Sequence, residues 1–262
     1  MEAAGYIASV CIGLVLGLLG GGGSILSIPI LVYLFNVDAV MASAYSLFIV
    51  GVTSFVGAIP KYQEQLVNIR TGLVFGIPSI VAIFSTRKWV VPAIPDVVFQ
   101  VGSFVITKRI LLLGIFAVLM ILASIAMIKR RGPFESDDNG YHIGGIILQG
   151  LLIGFLTGLV GAGGGFLIIP ALVLLTGIPF KTAVGTSLFI IAINSLMGFL
   201  GDVLNYTIQW NFLLIITGLA VIGILIGNRF SKKLPSSRLR KSFGWFTLLT
   251  GSWILLKEIF LT

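Results

Sequence analysis

Eight long stretches of the chain contain no Asp, Glu, Lys, Arg or His, and short polar connections separate them. The stretches are residues 3–35, 39–60, 71–86, 110–128, 143–180, 182–201, 203–228 and 242–256. A helix needs about 20 apolar residues to cross the hydrocarbon core of a bilayer, and most of the stretches approach or exceed that length. The pattern therefore predicts an all-α, polytopic membrane protein.

The sequence also carries an internal repeat, because residues 13–59 and 154–200 align without gaps at a constant offset of 141. Apolar composition alone would match scattered Leu and Ile, whereas here glycines, a proline and two serines also match. The identical pairs include those that begin at Gly13, Gly17, Gly20, Gly22, Gly23, Leu26, Pro29, Leu31, Ala42, Ser46, Leu47, Phe48, Ser54 and Gly57. Many transporter folds are built from such a duplication.

The repeat divides the chain into two halves of similar organisation. Each half continues from the repeated segment into two further apolar stretches, so we assign residues 1–128 to an N-terminal repeat and 143–262 to a C-terminal repeat. Between them, residues 129–142 read KRRGPFESDDNGYH, which is charged and contains glycine and proline. This composition predicts an exposed polar linker.

The first stretch of each half is too long for one perpendicular span, and each is interrupted by glycines. Gly20 to Gly23 are four consecutive glycines, and residues 161–165 read GAGGG. Glycine runs destabilise helices, so each segment is either a broken helix that continues across the membrane or a hairpin that returns. The distribution of Lys and Arg fits both, and segment length favours hairpins. A hairpin plus three spans in each half predicts two inverted repeats.

A break inside the bilayer would leave the first backbone N–H groups of the second helical piece without partners. An anion is a suitable partner, since a helix N-terminus carries partial positive charge. The second pieces should begin near Ser24 and Gly165, facing each other, so a small oxyanion is expected between them. The alternative is that glycines only let helices pack closely, which explains Gly13, Gly17, Gly154 and Gly158 but not four in a row.

Polar side chains on the following helix of each half extend this candidate site. Ser46 and Thr53 share one helix face, as do their counterparts Ser187 and Asn194. The predicted substrate-binding residues are Gly22, Gly23, Ser24, Ser46, Gly163, Gly164, Gly165, Thr186, Ser187 and Asn194. On this basis Gly23→Leu or Gly164→Leu should abolish transport while the protein still inserts.

Ionisable groups are absent from the apolar stretches, which argues against an intramembrane proton relay or a sodium carboxylate site. Asp38, Lys61, Lys181 and Asp202 stand at the ends of stretches, where interfacial or capping roles are expected. Cys11 is a lone cysteine for which a small buried packing role is expected. Neither a metal site nor another cofactor is predicted.

Composition excludes most other classes. The chain is 57% hydrophobic and 10% charged, and its net charge of +8 comes from basic residues in the short connections, so nucleic acid is not an expected partner. An enzyme is not expected, since no nucleophile–base pair or metal-ligand cluster is evident. GGGGS and GAGGG also lack the Lys and Ser/Thr of a phosphate-binding loop.

These motifs resemble the TauE/SafE sulfite exporter family over essentially the whole chain. The resemblance is carried by G-x-x-x-G-x-x-G-x-G-G-(G/S), by the P-x-L sequences at Pro29 and Pro170, and by A-x-x-x-S-L-F beginning at Ala42 and Ala183. The first half departs from the family between Thr86 and Thr107, where a longer loop carries Pro92 and Pro95. The resemblance implies transport of a sulfur-containing anion such as sulfite, thiosulfate or an organosulfonate, usually outward.

The sequence thus predicts a multi-pass transporter of the cell inner or plasma membrane that works by alternating access. Its expected partners are the small sulfur oxyanion or organosulfonate, the lipid bilayer and a possible second copy in a homo-oligomer. A passive anion channel using the same site, or a membrane scaffold without substrate, are the alternatives.

Overall fold

The computed structural model describes residues 2–101, 104–129, 143–175 and 177–260, so the predicted linker lies outside the described residues from 130 to 142. The helices are α1 (Glu2–Leu19), α2 (Gly22–Tyr33), α3 (Ala39–Gln63), α4 (Ile69–Ser85), α5 (Val91–Ala93), α6 (Lys108–Lys129), α7 (Ile143–Val160), α8 (Gly165–Leu175), α9 (Phe180–Val203), α10 (Trp210–Ser231) and α11 (Ser236–Phe260). Within the described part of the chain, five helical stretches are long and apolar enough to cross a membrane: α3, Ile69–Ala93, α6, α9 and α10.

The connection that departs from the family pattern has its own structure. A π-helical turn, Thr86–Val90, carries α4 on into α5, and strands β1 (Val97–Val101) and β2 (Phe104–Thr107) then pair antiparallel before α6. The helical segment therefore extends past the predicted end of its apolar stretch at residue 86 and includes Arg87.

The helix bounds follow the offset of the sequence repeat. Both ends of α1 and α7 differ by 141 residues, and so do the first residues of α3 and α9 and of α4 and α10.

The glycine breaks follow the same offset of 141 residues. Gly20 and Gly161 have φ angles of +75° and +76°, a left-handed conformation that favours glycine. The N–H of Gly20 donates to Leu16 O, and the N–H of Gly161 donates to the equivalent Thr157 O. Helix α8 restarts at Gly165 as predicted, whereas α2 restarts at Gly22, two residues before the predicted Ser24.

Helix α2 folds back along α1 after the first break. A Cβ at Gly23 would lie 2.3 Å from Ile12 O and 2.5 Å from the Cβ of Leu16. Further along, the rings of Tyr6 and Phe35 meet edge to face with centroids 5.5 Å apart. The end of α2 thus lies beside the start of α1, a geometry that a helix continuing in one direction would not produce.

Glycines allow helices from different halves to pack closely, as the sequence suggested for four of them. A Cβ at Gly13 of α1 would lie 1.7 Å from Ala220 O of α10, and one at Gly154 of α7 would lie 2.5 Å from Ser79 O of α4. Gly17 and Gly158 make the equivalent approaches one turn later. Because α1 packs on α10 and α7 on α4, the two halves interlock. Cys11, in contrast, is exposed on α1, so its predicted burial was wrong.

This interlocking makes Gly13 sensitive to the smallest side chain. We expect Gly13→Ala to lower the stability of the detergent-purified protein by about 1–3 kcal/mol, since a methyl group would overpack against the α10 backbone. Gly218→Ala is the matched control on α10, because a Cβ there meets nothing within 4 Å. Thermal unfolding of both variants checks the prediction, and equal melting temperatures would contradict it.

Candidate functional site

The two glycine breaks contact one another through their backbones. A Cβ at Gly21 would lie 2.4 Å from both the carbonyl carbon and the carbonyl oxygen of Gly165. Both glycines are buried. Since α2 begins at Gly22 and α8 at Gly165, two helix N-termini meet where the breaks touch.

The first turn of α2 has no side-chain cap. Gly21 is the N-cap residue and supplies no side-chain acceptor. The nearby Ser24 hydroxyl is not a cap either, because it donates a hydrogen bond to Gly21 O at 2.6 Å, whereas a cap would accept one from a backbone N–H. Helix starts leave their first N–H groups without intrahelical acceptors. The arrangement therefore concentrates backbone donors and partial positive charge in a buried region.

The other predicted glycines are buried but differ in what they contact. Gly22 and Gly23 pack against α1, and a Cβ at Gly164 would lie 2.3 Å from Cγ2 of Thr157 on α7. Leucine at Gly23 or Gly164 would thus disrupt the packing of a break on the preceding helix. A loss of transport in such variants could reflect either misfolding or lost anion binding. Substitution of a hydroxyl-bearing side chain therefore tests anion binding more cleanly. Gly163 lies against the side chain of Ser195, as described below.

The predicted polar side chains are all buried, and each has a partner within the protein. The Ser46 hydroxyl lies 2.5 Å from that of Ser27 on α2, and the Ser187 hydroxyl donates to Val184 O one turn earlier in α9. Thr186 Oγ1 accepts the N–H of Asn68 at the start of α4. Tyr45, its counterpart, likewise accepts the N–H of Gln209 before α10. Thr186 on α9 and Tyr45 on α3 therefore each tether the start of a helix in the other half of the chain, α4 and α10 respectively.

Two serines that are not among the predicted substrate-binding residues have hydroxyls without a partner in the described part of the chain. Ser54 Oγ and its repeat counterpart Ser195 Oγ are completely buried without a hydrogen-bond partner among the described residues. Ser195 lies directly at the second break, since a Cβ at Gly163 would be 2.6 Å from its Oγ. Asn194 donates to Ser79 Oγ at 2.6 Å and leaves its carbonyl oxygen unpaired. The sequence signal that could have identified Ser54 and Ser195 is their equivalent position in the two copies of the repeat.

A buried ion pair lies against the same break, which the sequence interpretation missed. Arg87 Nε is 3.1 Å from Asp202 Oδ2, and both side chains are 0% exposed. Arg87 also donates to Ser43 Oγ at 2.9 Å, and a Cβ at Gly161 would lie 2.5 Å from its Nη2. The interfacial or capping role expected for Asp202 was therefore wrong, because the π-helical turn directs Arg87 inward.

The remaining charged residues at stretch ends behave differently from one another. Asp38 does cap α3, accepting the N–H groups of Val40 and Met41. Lys61 lies in the last turn of α3 as expected but is buried, and it donates to Ser231 Oγ at 2.9 Å. Across the described ranges, no group of three His, Cys, Asp or Glu side chains is placed to hold a metal ion.

Comparisons with known proteins agree on the kind of molecule. The sequence profile of the family described as "Sulfite exporter TauE/SafE" matches residues 6–254. A "Probable membrane transporter protein" of Xylella fastidiosa (strain Temecula1) is 28% identical over 255 residues, covering 93% of this chain and 91% of the relative. The "Probable membrane transporter protein YunE" of Bacillus subtilis is 27% identical over 276 residues, covering 97% and 99%. No solved structure matches the chain.

Proposed function

The chain belongs to the TauE/SafE sulfite exporter family of membrane transporters, and we propose that it exports a small sulfur-containing anion such as sulfite, thiosulfate or an organosulfonate. The observation that supports this proposal best is the contact between Gly21 and Gly165, which brings the N-termini of α2 and α8 together. Two helix N-termini provide donors and partial positive charge without a fixed cation. A singly or doubly charged oxyanion suits such a site and can leave it again.

The free hydroxyl of Ser195 supports the same location. It stands at Gly163 with no protein partner, and a buried unpaired hydroxyl costs free energy unless something binds it. An oxyanion between the breaks would accept a hydrogen bond from it. Ser54 would serve in the same way from the first half. The predicted donors Gly22, Gly23, Ser24, Gly164 and Gly165 would add backbone N–H groups, while Asn194 and Ser46 would line the site.

Transport would proceed by alternating access around this site. The offset of 141 in helix bounds and the cross-packing of α1 on α10 and α7 on α4 suit two inverted repeats, each a hairpin followed by three spans. Such repeats rock or gate against one another around a shared site. The protein would reside in the cell inner or plasma membrane.

Thermal stabilisation by anions tests the binding proposal directly. A ligand that binds only the folded state raises its stability, by about 2.7 kcal/mol at 100 times Kd. The detergent-purified protein is heated with sulfite, thiosulfate, sulfate, sulfoacetate, taurine, phosphate or chloride at matched ionic strength. We expect one sulfur anion to raise the melting temperature selectively. Equal responses to all seven would contradict a specific sulfur-anion site.

Transport assays in proteoliposomes separate the proposed carrier from its alternatives. A carrier shows counterflow, in which unlabelled anion on one side accelerates the movement of labelled anion from the other. A passive channel conducts without counterflow, and a scaffold moves no anion. Counterflow of the anion identified by thermal stabilisation is the expected result.

A further inference from the structure

A basic cavity of about 320 Å³ opens beside the first glycine break. Among its nine lining residues are Lys61, Glu64, Lys181, Val184, Ser231 and Lys232. The volume falls within the range of small-molecule sites. Three of the nine lining residues are lysines and one is a carboxylate, so the cavity carries a net positive charge.

The single carboxylate does not neutralise these lysines. Glu64 Oε1 is 2.6 Å from Lys232 Nζ, and Glu64 Oε2 is 3.9 Å from Lys61 Nζ. Lys61 is buried and held by Ser231 Oγ at 2.9 Å. Lys181 makes no ion pair with any residue in the described part of the chain. The cavity therefore holds more positive charge than its own acidic group can balance.

The position of Lys181 is also electrostatically unfavourable in the absence of a bound anion. It lies in the first turn of α9, which begins at Phe180, and the positive end of a helix dipole disfavours a cation there. The equivalent position in the first half is Val40, so the repeat does not require a lysine. A negatively charged ligand in the cavity would offset this repulsion.

The cavity is separated from the first break by a single side chain. Val184 lines the cavity, and its Cγ1 would lie 2.6 Å from a Cβ at Gly20. The positions equivalent to Lys61 and Gly20 in the other half are Asp202 and Gly161. There, Asp202 pairs with Arg87 beside Gly161. Uncompensated positive charge therefore lies next to the first break, whereas the charge next to the second break is paired.

We propose that the cavity formed by Lys61, Lys181 and Lys232 is an entrance site that binds small oxyanions before they reach the first break. A cleft lined by one sign of charge concentrates counter-ions and raises their association rate. This inference rests on the proposed function for its role in transport, whereas anion binding in the cavity is independent of it. Ser231 is a positioning residue that holds the Lys61 amine.

The test measures binding of radiolabelled sulfate and sulfite to the detergent-purified protein, together with transport kinetics in proteoliposomes. Lys181→Gln should weaken binding at the entrance and raise the KM for transport about 10-fold, the lower end of electrostatic steering effects. The kcat should stay within twofold, and the dependence of uptake on salt should become shallower. Lys232→Gln should change binding and KM in the same direction. Lys181 and Lys232 are both less buried than Lys61, so neither substitution should impair folding.

Lys233→Gln is the matched control, since Lys233 is exposed and does not line the cavity. A variant of the break site, Ser195→Ala, should retain entrance binding while transport falls. If sulfate binds in a Lys181-dependent way but no anion is transported, the entrance site stands and the proposed function fails. Wild-type affinity in Lys181→Gln and Lys232→Gln, or an equal loss in Lys233→Gln, would overturn the inference.

An anionic lipid headgroup presents the same oxyanion chemistry, so the assay is repeated in nanodiscs with and without phosphatidylglycerol. Sulfate binding that is unchanged by phosphatidylglycerol supports a site for free anions. Complete displacement of sulfate by that lipid would reassign the cavity to a headgroup and overturn the entrance role.

Discussion

Ser195→Ala should reduce anion transport about 10- to 100-fold while leaving the melting temperature unchanged or slightly raised. The reduction corresponds to about 1.5–3 kcal/mol, the usual contribution of a hydrogen bond to a charged group. Stability should not fall, because Ser195 Oγ is buried and makes no hydrogen bond within the described protein. Removing an unsatisfied hydroxyl is neutral or stabilising. Transport in proteoliposomes and thermal unfolding, measured on the same preparation, check both halves of the prediction.

Ser54→Ala should behave in the same way, since Ser54 is the repeat counterpart and is equally buried and unpaired. The control is Ser9→Ala. Ser9 is also fully buried, but its hydroxyl donates to Gly5 O within α1, about 16 Å of helix away from the break. Ser9→Ala should transport normally. If Ser195→Ala also transports normally, the second break is not where the anion binds.

Asp202→Ala should destabilise the protein by about 3–5 kcal/mol, because it leaves the Arg87 guanidinium buried without its counter-charge. Arg87 and Asp202 are both 0% exposed, and the hydrogen bond from Arg87 to Ser43 does not balance the charge. Melting temperature and the yield of monodisperse protein in detergent should both fall sharply.

A double variant distinguishes loss of the pair from loss of either side chain. Arg87→Met with Asp202→Val should recover most of the stability, since buried ion pairs can be replaced by apolar residues of similar volume at little cost. Lys232→Ala is the contrasting case: Lys232 is 56% exposed and its partner Glu64 is 27% exposed, so the expected loss is below about 1 kcal/mol. Equal destabilisation by Lys232→Ala and Asp202→Ala would contradict the importance assigned to burial.

The sequence interpretation identified the breaks because glycine runs and their repetition are local signals. Left-handed φ angles at Gly20 and Gly161 favour a residue without a Cβ, and the glycines are visible in the sequence. The restart of α8 at Gly165 was predicted for the same reason. The close packing of Gly13 and Gly154 was predicted as a class, but their partners on α10 and α4 were not, since a small residue indicates only that another backbone approaches.

Side-chain roles within the candidate site could not be read from the chain alone. Ser46 and Ser54 are both repeated, so repetition could not tell a hydroxyl with a protein partner from one without. The difference arises because Ser46 meets Ser27 of a helix that folds back from the break. Thr186 stays a predicted substrate contact, but the sequence could not show that its oxygen accepts the N–H of Asn68, a residue 118 positions away along the chain.

Taken by itself, the sequence determined the membrane class, the duplicated unit, the positions of the breaks and the family, because each is recorded in composition or in spacing along one chain. The tertiary structure decided that Gly21 meets Gly165, that Ser195 is left unpaired at Gly163, and that Arg87 is buried against Asp202. These are contacts between distant segments. They depend on how interlocked helices share the interior, where the nearest neighbours of a polar group determine whether it is satisfied, paired or free to bind.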